Sequence, residues 1–329
     1  MLSFKKKVIS FVTIIALTCL LPLSISANES NLNSDEIGFK SIKIENLEVT
    51  VFDDGRVKGI EYSEELSRKD RRRILELMHF TEQEINRMPE GLQEDVIRLG
   101  GVKVDTTIED FVHIYTDLEG NDHIVTDENN DEVDKIRQKD LEIIAQQSGK
   151  ELTITPSAVR DGKFYGSSMA VYMGKSRNGR ELEYHYLTEF EWSARPWLYF
   201  VDTIANTWQN HTTGVSRDGR YVVRPFNGNG DPMGGISIGL SNFDDSNPLG
   251  TKADVDLARH DGIHEGWLND VVRIPDSEKG RTGQFASAYV HSYSLDGISI
   301  NFKYLGYQFS GTGDKWSWKT SFEIGKDSK

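Results

Sequence analysis

Lys315-Trp316-Ser317-Trp318-Lys319-Thr320-Ser321-Phe322-Glu323-Ile324 changes character at every step. Trp316, Trp318, Thr320, Phe322 and Ile324 share one side of an extended chain, while Lys315, Ser317, Lys319, Ser321 and Glu323 share the other. Successive side chains of a strand point to opposite faces, so this stretch predicts a strand with one buried and one wet face. Such one-sided alternation belongs to antiparallel sheets. The same period appears upstream, where Tyr184, Tyr186, Thr188, Phe190 and Trp192 oppose Glu183, His185, Glu189 and Glu191. Residues 235–241 place Ile236, Ile238 and Leu240 inward by the same rule. Residues 285–295 and 298–309 flank Asp296-Gly297, a two-residue turn signal, and predict a hairpin. Trp197, Phe200, Val201, Ile204 and Trp208 instead have helical spacing after Pro196 and predict a short helix. These signals predict an all-β C-terminal domain, an antiparallel sandwich or a jelly-roll-like barrel.

The chain upstream reads differently. Residues 48–52 alternate, Asp54-Gly55 makes a two-residue turn and 57–62 returns, which predicts a hairpin. Helical spacing follows over 63–78, and Thr81 with Glu84 three residues later makes a capping box for a second helix. Pro89 can open a third helix that Gly100-Gly101 closes. A second hairpin is predicted around Glu119-Gly120-Asn121, and a helix over 131–147. The whole is therefore expected to be α+β: a small α+β domain over 28–150, followed by the all-β domain over 151–329.

Composition supports a division near 150. The first of these halves holds 30 acids and 16 bases, the second 22 and 19, and 25 of the 33 aromatic residues lie in the second. Gly149 and Pro156 punctuate the boundary. The 329-residue chain carries a formal net charge of −14, which excludes nucleic acid as a main partner, because phosphate binding needs a basic surface. Neither a glycine-rich phosphate loop nor a CxxC or HExxH motif occurs.

Lys5, Lys6 and Lys7 precede an apolar stretch over 8–25, then Ser24, Ser26, Ala27 and the polar run Asn28-Glu29-Ser30. That order predicts a secretory signal peptide over 1–27, cleaved near Ala27. The single cysteine, Cys19, would leave with it, so the secreted chain must hold together by core packing. Residues 28–150 could then be a retained domain or a removed pro-segment. The stretch Ile74-Leu75-Glu76-Leu77-Met78-His79-Phe80-Thr81-Glu82-Gln83-Glu84-Ile85, with Met88-Pro89-Glu90-Gly91-Leu92 and Gly100-Gly101-Val102-Lys103-Val104-Asp105, resembles segments of uncharacterised exported proteins of Gram-positive bacteria. The resemblance implies export and no particular activity.

Four candidate sites stand out. Trp197, Trp208 and Trp267 escape the strand pattern and could stack on a ligand ring. Asp244, Asp245 and Asn247, with Asp254 and Asp256, offer hard oxygens suited to calcium, although such residues also cap their own turns. His260 and His264, four apart beside Glu265, have zinc-ligand spacing on a helix, but Asp261-Gly262 would break one. Glu189 and Glu191 lie about 7 Å apart along one strand face, a separation that glycoside hydrolysis can use. Three functions follow: a secreted non-enzymatic protein binding an extracellular or cell-surface ligand, a glycan-active hydrolase, or a membrane-active toxin working through 285–309. The last is disfavoured because Tyr289 and Tyr293 share its supposed wet face with His291, so no stable membrane insertion is expected.

Overall fold

Two antiparallel sheets face each other across the middle of the molecule. A computed structural model describes residues 38–148, 164–196, 198, 200–293 and 297–325. The signal-peptide stretch, Trp197 and Asp296 lie outside the described residues. The chain opens with β1 (Phe39–Ile44), β2 (Leu47–Phe52) and β3 (Val57–Lys58), turned at Asp54-Gly55 where Gly55 has φ 85°. Three helices follow: α1 (Arg68–Leu77), α2 (Glu82–Arg87) and α3 (Glu90–Leu99). Ser67 caps α1 by accepting from Asp70 N, and the capping box of Thr81 and Glu84 opens α2. Then come β4 (Gly100–Lys103), β5 (Thr107–Thr116), β6 (Asp122–Ile124) and α4 (Asn130–Ser148).

The remaining strands are β7 (Phe164–Lys175), β8 (Glu181–Trp192), β9 (Val201–Trp208), β10 (Thr213–Pro225), β11 (Ile236–Ser237), β12 (Ser241–Asp244), β13 (Gly250–Asp256), β14 (Gly262–Pro275), β15 (Thr282–Ser292), β16 (Ser299–Lys303), β17 (Gly306–Ser310) and β18 (Gly313–Glu323). One sheet has nine strands in the order β1-β2-β3-β4-β7-β8-β14-β10-β11, and the other has seven in the order β12-β13-β9-β15-β18-β5-β6. The aromatic alternation builds the space between them: Tyr184 and Tyr186 of β8 pack with Trp208, Phe285 and Phe322 of the opposite sheet. Phe190 and Trp192 likewise meet Tyr289, Trp316 and Trp318. Both sheets cross the compositional boundary near 150. β4 pairs with β7 and β5 pairs with β18, so the acidic half is hydrogen-bonded into each sheet.

Four local readings are corrected. The polar face of β8 is not wet, because α1–α3 cover it: Leu187, Met169, Val171 and Trp267 share one core with Ile74, Leu75, Leu92 and Val96. Residues 285–309 do not form a hairpin. β15 has both edges filled by β9 and β18, so 299–310 folds on itself as β16–β17. Ile300, Phe302, Tyr307 and Phe309 of that hairpin then pack with Ala205 and Val290 on the outer side of the seven-stranded sheet. Residues 201–208 are a strand paired on both sides, which their β-branched Val201, Thr203, Ile204 and Thr207 favour. Ile236 and Ile238 are 45% and 46% exposed, because β11 is a two-residue edge strand. No helix among the described residues is long and apolar enough to cross a membrane.

Candidate functional site

The helical layer does not seal the nine-stranded sheet completely. Between α1, α2, the start of α3 and the ends of β10 and β14 lies a cleft of about 250 Å³, lined by Arg68, Arg71, Arg72, Ile85, Asn86, Arg87, Met88, Pro89, Glu90, Gln93, Arg224 and Glu265. Arg68, Arg71 and Arg72 stand at positions i, i+3 and i+4 of α1, hence on one helix face. Arg87 ends α2, and Arg224 comes from β10. Gln93 fixes the corner by donating from Nε2 to the carbonyls of Ile85 and Met88, at 3.0 Å each.

The arginines differ in how far they are committed. Arg71 is buried, bound to Glu90, to Glu94 and to the carbonyl of Leu66. Arg72 reaches Asn86, and Glu82 at 3.2 Å. Arg87 donates to the Tyr165 hydroxyl at 3.3 Å and lies over that ring at 5.2 Å. Arg224 pairs with Glu265 at 2.9 Å, while its Nε has no hydrogen-bond partner among the described residues. Arg68 is exposed at the rim.

Carboxylates sit beneath them. Glu265 lies directly across from Glu191, and Glu189 is two residues farther along β8, across from Trp267 on one side and Ser167 on the other. All three glutamates share the face that α1–α3 cover. Glu189 is buried, and its Oε2 has no hydrogen-bond partner among the described residues. Burial, reinforced by repulsion from Glu191 and Glu265, pushes the Glu189 carboxyl up to about 7. Burial also raises Glu265, with Arg224 pulling the other way. The arrangement can hold an anion among the arginines and a proton on the buried carboxyl behind the cleft lining.

No protein-family profile matches the chain, and no curated protein matches it in sequence. Among solved structures it is similar to a DUF4466 family protein from Parabacteroides merdae, at 14% identity over 47% of this chain and 45% of that one, with a TM-score of 0.25. The chain thus aligns with less than half of that protein. At that level of likeness neither fold nor activity carries over.

The residues singled out in the sequence are scattered. Trp208 is buried, its indole donating to the carbonyl of Pro248 at 3.1 Å, and Trp267 is 0% exposed with its indole on Asp95 at 3.0 Å. Neither offers a ring face to a ligand, because Trp208 is packed between the sheets and Trp267 beneath the helices. Trp197 lies outside the described residues. The proposed calcium oxygens serve their own turns and neighbours: Asp244 accepts from Ser246, Asn247 from Leu249 N, Asp254 from Asn242, and Asp245 pairs with Arg217. Asp256 ends β13, exposed. No group of three or more His, Cys, Asp or Glu among the described residues could hold a metal ion. His264 is in a strand, its Nδ1 on Tyr221 and its Nε2 on the carbonyl of His260, so helical zinc spacing does not apply. Glu189 and Glu191 do share a face, and the structure adds Glu265 to them. Sequence reasoning missed the arginines. Their signal was Arg68-Lys69-Asp70-Arg71-Arg72-Arg73, a dense basic run inside the acidic half.

Proposed function

We propose that the chain is an exported, non-enzymatic protein that binds an anionic extracellular or cell-surface ligand in the arginine cleft. The observation carrying this reading is local charge inversion: arginine supplies five of the cleft's lining residues, against two glutamates, in a chain with 52 acids and 38 bases. Guanidinium groups match carboxylate and sulfate oxygens with paired donors. Asn86, Gln93 and Glu265 beside them can accept hydroxyl donors, so the lining suits an acidic saccharide. A nucleic acid remains outside the reading, since the acidic surface repels it. Export rests on the leader-like residues 1–27, and the two facing sheets are read as a sandwich that carries the cleft on its helical layer. No cofactor enters this reading.

Calorimetric titration of the secreted chain tests it, using an oligogalacturonate, a sulfated heparin hexasaccharide and neutral cellohexaose. Binding is expected for a charged probe and none for the neutral one, weakening with salt. Arg72→Ala with Arg87→Ala should weaken it at least about tenfold, or 1.4 kcal/mol. Equal binding of all three probes, or an unaffected double variant, overturns the proposal. A second reading, hydrolysis by Glu189 and Glu191, draws on their sharing the cleft-side face with Glu265. Shortened oligogalacturonate after incubation with the native chain, and not with Glu191→Gln, would favour it.

A further inference from the structure

Glu265 lines the cleft, and with Glu191 and Glu189 on the sheet behind it forms a carboxylate floor that cannot stay fully ionised. Glu265 stands opposite Glu191 in the β8–β14 ladder, and Glu189 follows along the same face, about 7 Å from Glu191 by strand rise. Facing this group are Arg224 from β10, Tyr165 and Ser167 from β7, Trp267 from β14, and Arg87 and Glu84 from α2. Above lie Arg71 and Arg72 of α1 and Glu90 of α3. Glu84 itself is held by Lys103 at 3.0 Å. Glu265 has one cation to itself, Arg224. Glu189 has none within hydrogen-bond reach among the described residues, is 5% exposed, and has an Oε2 without a partner among them. An ionised carboxylate there is desolvated with only the charge of Arg87 to offset the cost, and it also opposes any anion placed among the arginines above.

Resting on the anion-binding reading, we propose that Glu189 and Glu265 together hold a proton that gates the cleft, so that the ligand binds more tightly when the floor is protonated. Linkage makes this reciprocal. If an incoming anion favours the protonated floor, binding takes up a proton, and affinity rises as pH falls. With the proton on, Arg224 is released from full charge pairing with Glu265, and the anion meets a floor one negative charge lighter. With the proton off, the floor competes for the same guanidinium groups. The uptake belongs near neutrality, where burial places the Glu189 carboxyl.

The sulfated hexasaccharide is titrated into the native chain at pH 8, 7 and 6, each time in two buffers of different ionisation enthalpy. The dissociation constant should fall at least about fivefold from pH 8 to pH 6, with net proton uptake at pH 7, since one linked proton allows up to about tenfold per pH unit. Glu189→Gln, permanently neutral and of the same shape, should bind at pH 8 as the native chain does at pH 6. An unchanged dissociation constant with no proton uptake removes the gate and leaves the anion site standing. Absence of binding at every pH removes both. If Glu189→Gln fails to fold, the two-buffer comparison on the native chain decides alone.

Discussion

Asp95, on α3, accepts from Trp267 Nε1 at 3.0 Å, Arg98 Nη2 at 3.1 Å and Arg220 Nη2 at 3.2 Å, and so ties the helical layer to β14 and β10. The close approach needs a small residue on the helix: a Cβ on Gly91 would come within 2.7 Å of the Trp267 ring. Trp267→Ala should therefore cost about 3–5 kcal/mol, from lost burial and the cavity left behind. Trp267→Phe keeps much of the volume but removes the donor, and should cost about 1–3 kcal/mol through the buried Asp95 acceptor. Urea denaturation of the two variants checks the order. A Phe variant as damaging as the Ala one would mean that the indole's hydrogen bond, not its bulk, dominates. Trp267 illustrates why single-residue function was hard to read from sequence. It sits on the face opposite the one built by Tyr184 and Trp192, and only the helices above it turn that face into core.

At the scale of elements, helix starts and strand periods were readable because their causes are local. The capping box of α2, the turn at Asp54-Gly55 and the strands β8 and β18 all rest on a few residues, and each appears where the sequence placed it, although the faces expected to be wet are covered over β8 and at Lys315 of β18. What covers a strand is not local. β15 reads like one arm of a hairpin by spacing to Asp296-Gly297, yet its partners β9 and β18 are determined by which edges remain free. The same blindness hid the docking of α4. Asp314 on β18 receives Arg137 of α4 at 2.8 Å, His113 of β5 at 2.7 Å and the Tyr293 hydroxyl at 2.6 Å. Burial works against its charge, but Arg137 and these hydrogen bonds outweigh it and hold the carboxyl well below the usual range. A depressed carboxyl contributes stability above its unfolded value near 4, and loses that contribution as pH falls further. Arg137→Met leaves Asp314 buried without its cation and should cost about 3–5 kcal/mol at pH 7. The deficit should shrink by pH 3, where the variant's Asp314 takes up a proton. Guanidinium denaturation at both pH values measures it, and a deficit equal at the two would argue that Arg137 acts through packing alone.

Over the whole molecule, several buried carboxyls work in the opposite sense, Glu189 and Asp270 among them. Burial raises Glu189 to about 7 and Asp270, which Asn206 supports at 2.8 Å, to about 6. In the unfolded chain such groups release their protons near pH 4, so between that point and neutrality the folded chain holds more protons than the unfolded one. Stability must then fall as pH rises through this window and level off above it. For Glu189 the penalty at pH 8 is about 3 kcal/mol, at 1.36 kcal/mol for each pKa unit. The acidic total charge adds self-repulsion in the same direction, since acid also reduces the net −14. Glu189→Gln separates the two, because it removes the local penalty and changes the net charge by only one. The native chain should be most stable near pH 5–6, and the variant should gain about 1–3 kcal/mol at pH 8 while matching the native chain at pH 5. Urea midpoints at pH 5, 6, 7 and 8 read this directly. A variant whose curve runs parallel to the native one would place the pH dependence in the overall charge, and would leave Glu189 ionised and compensated at neutral pH.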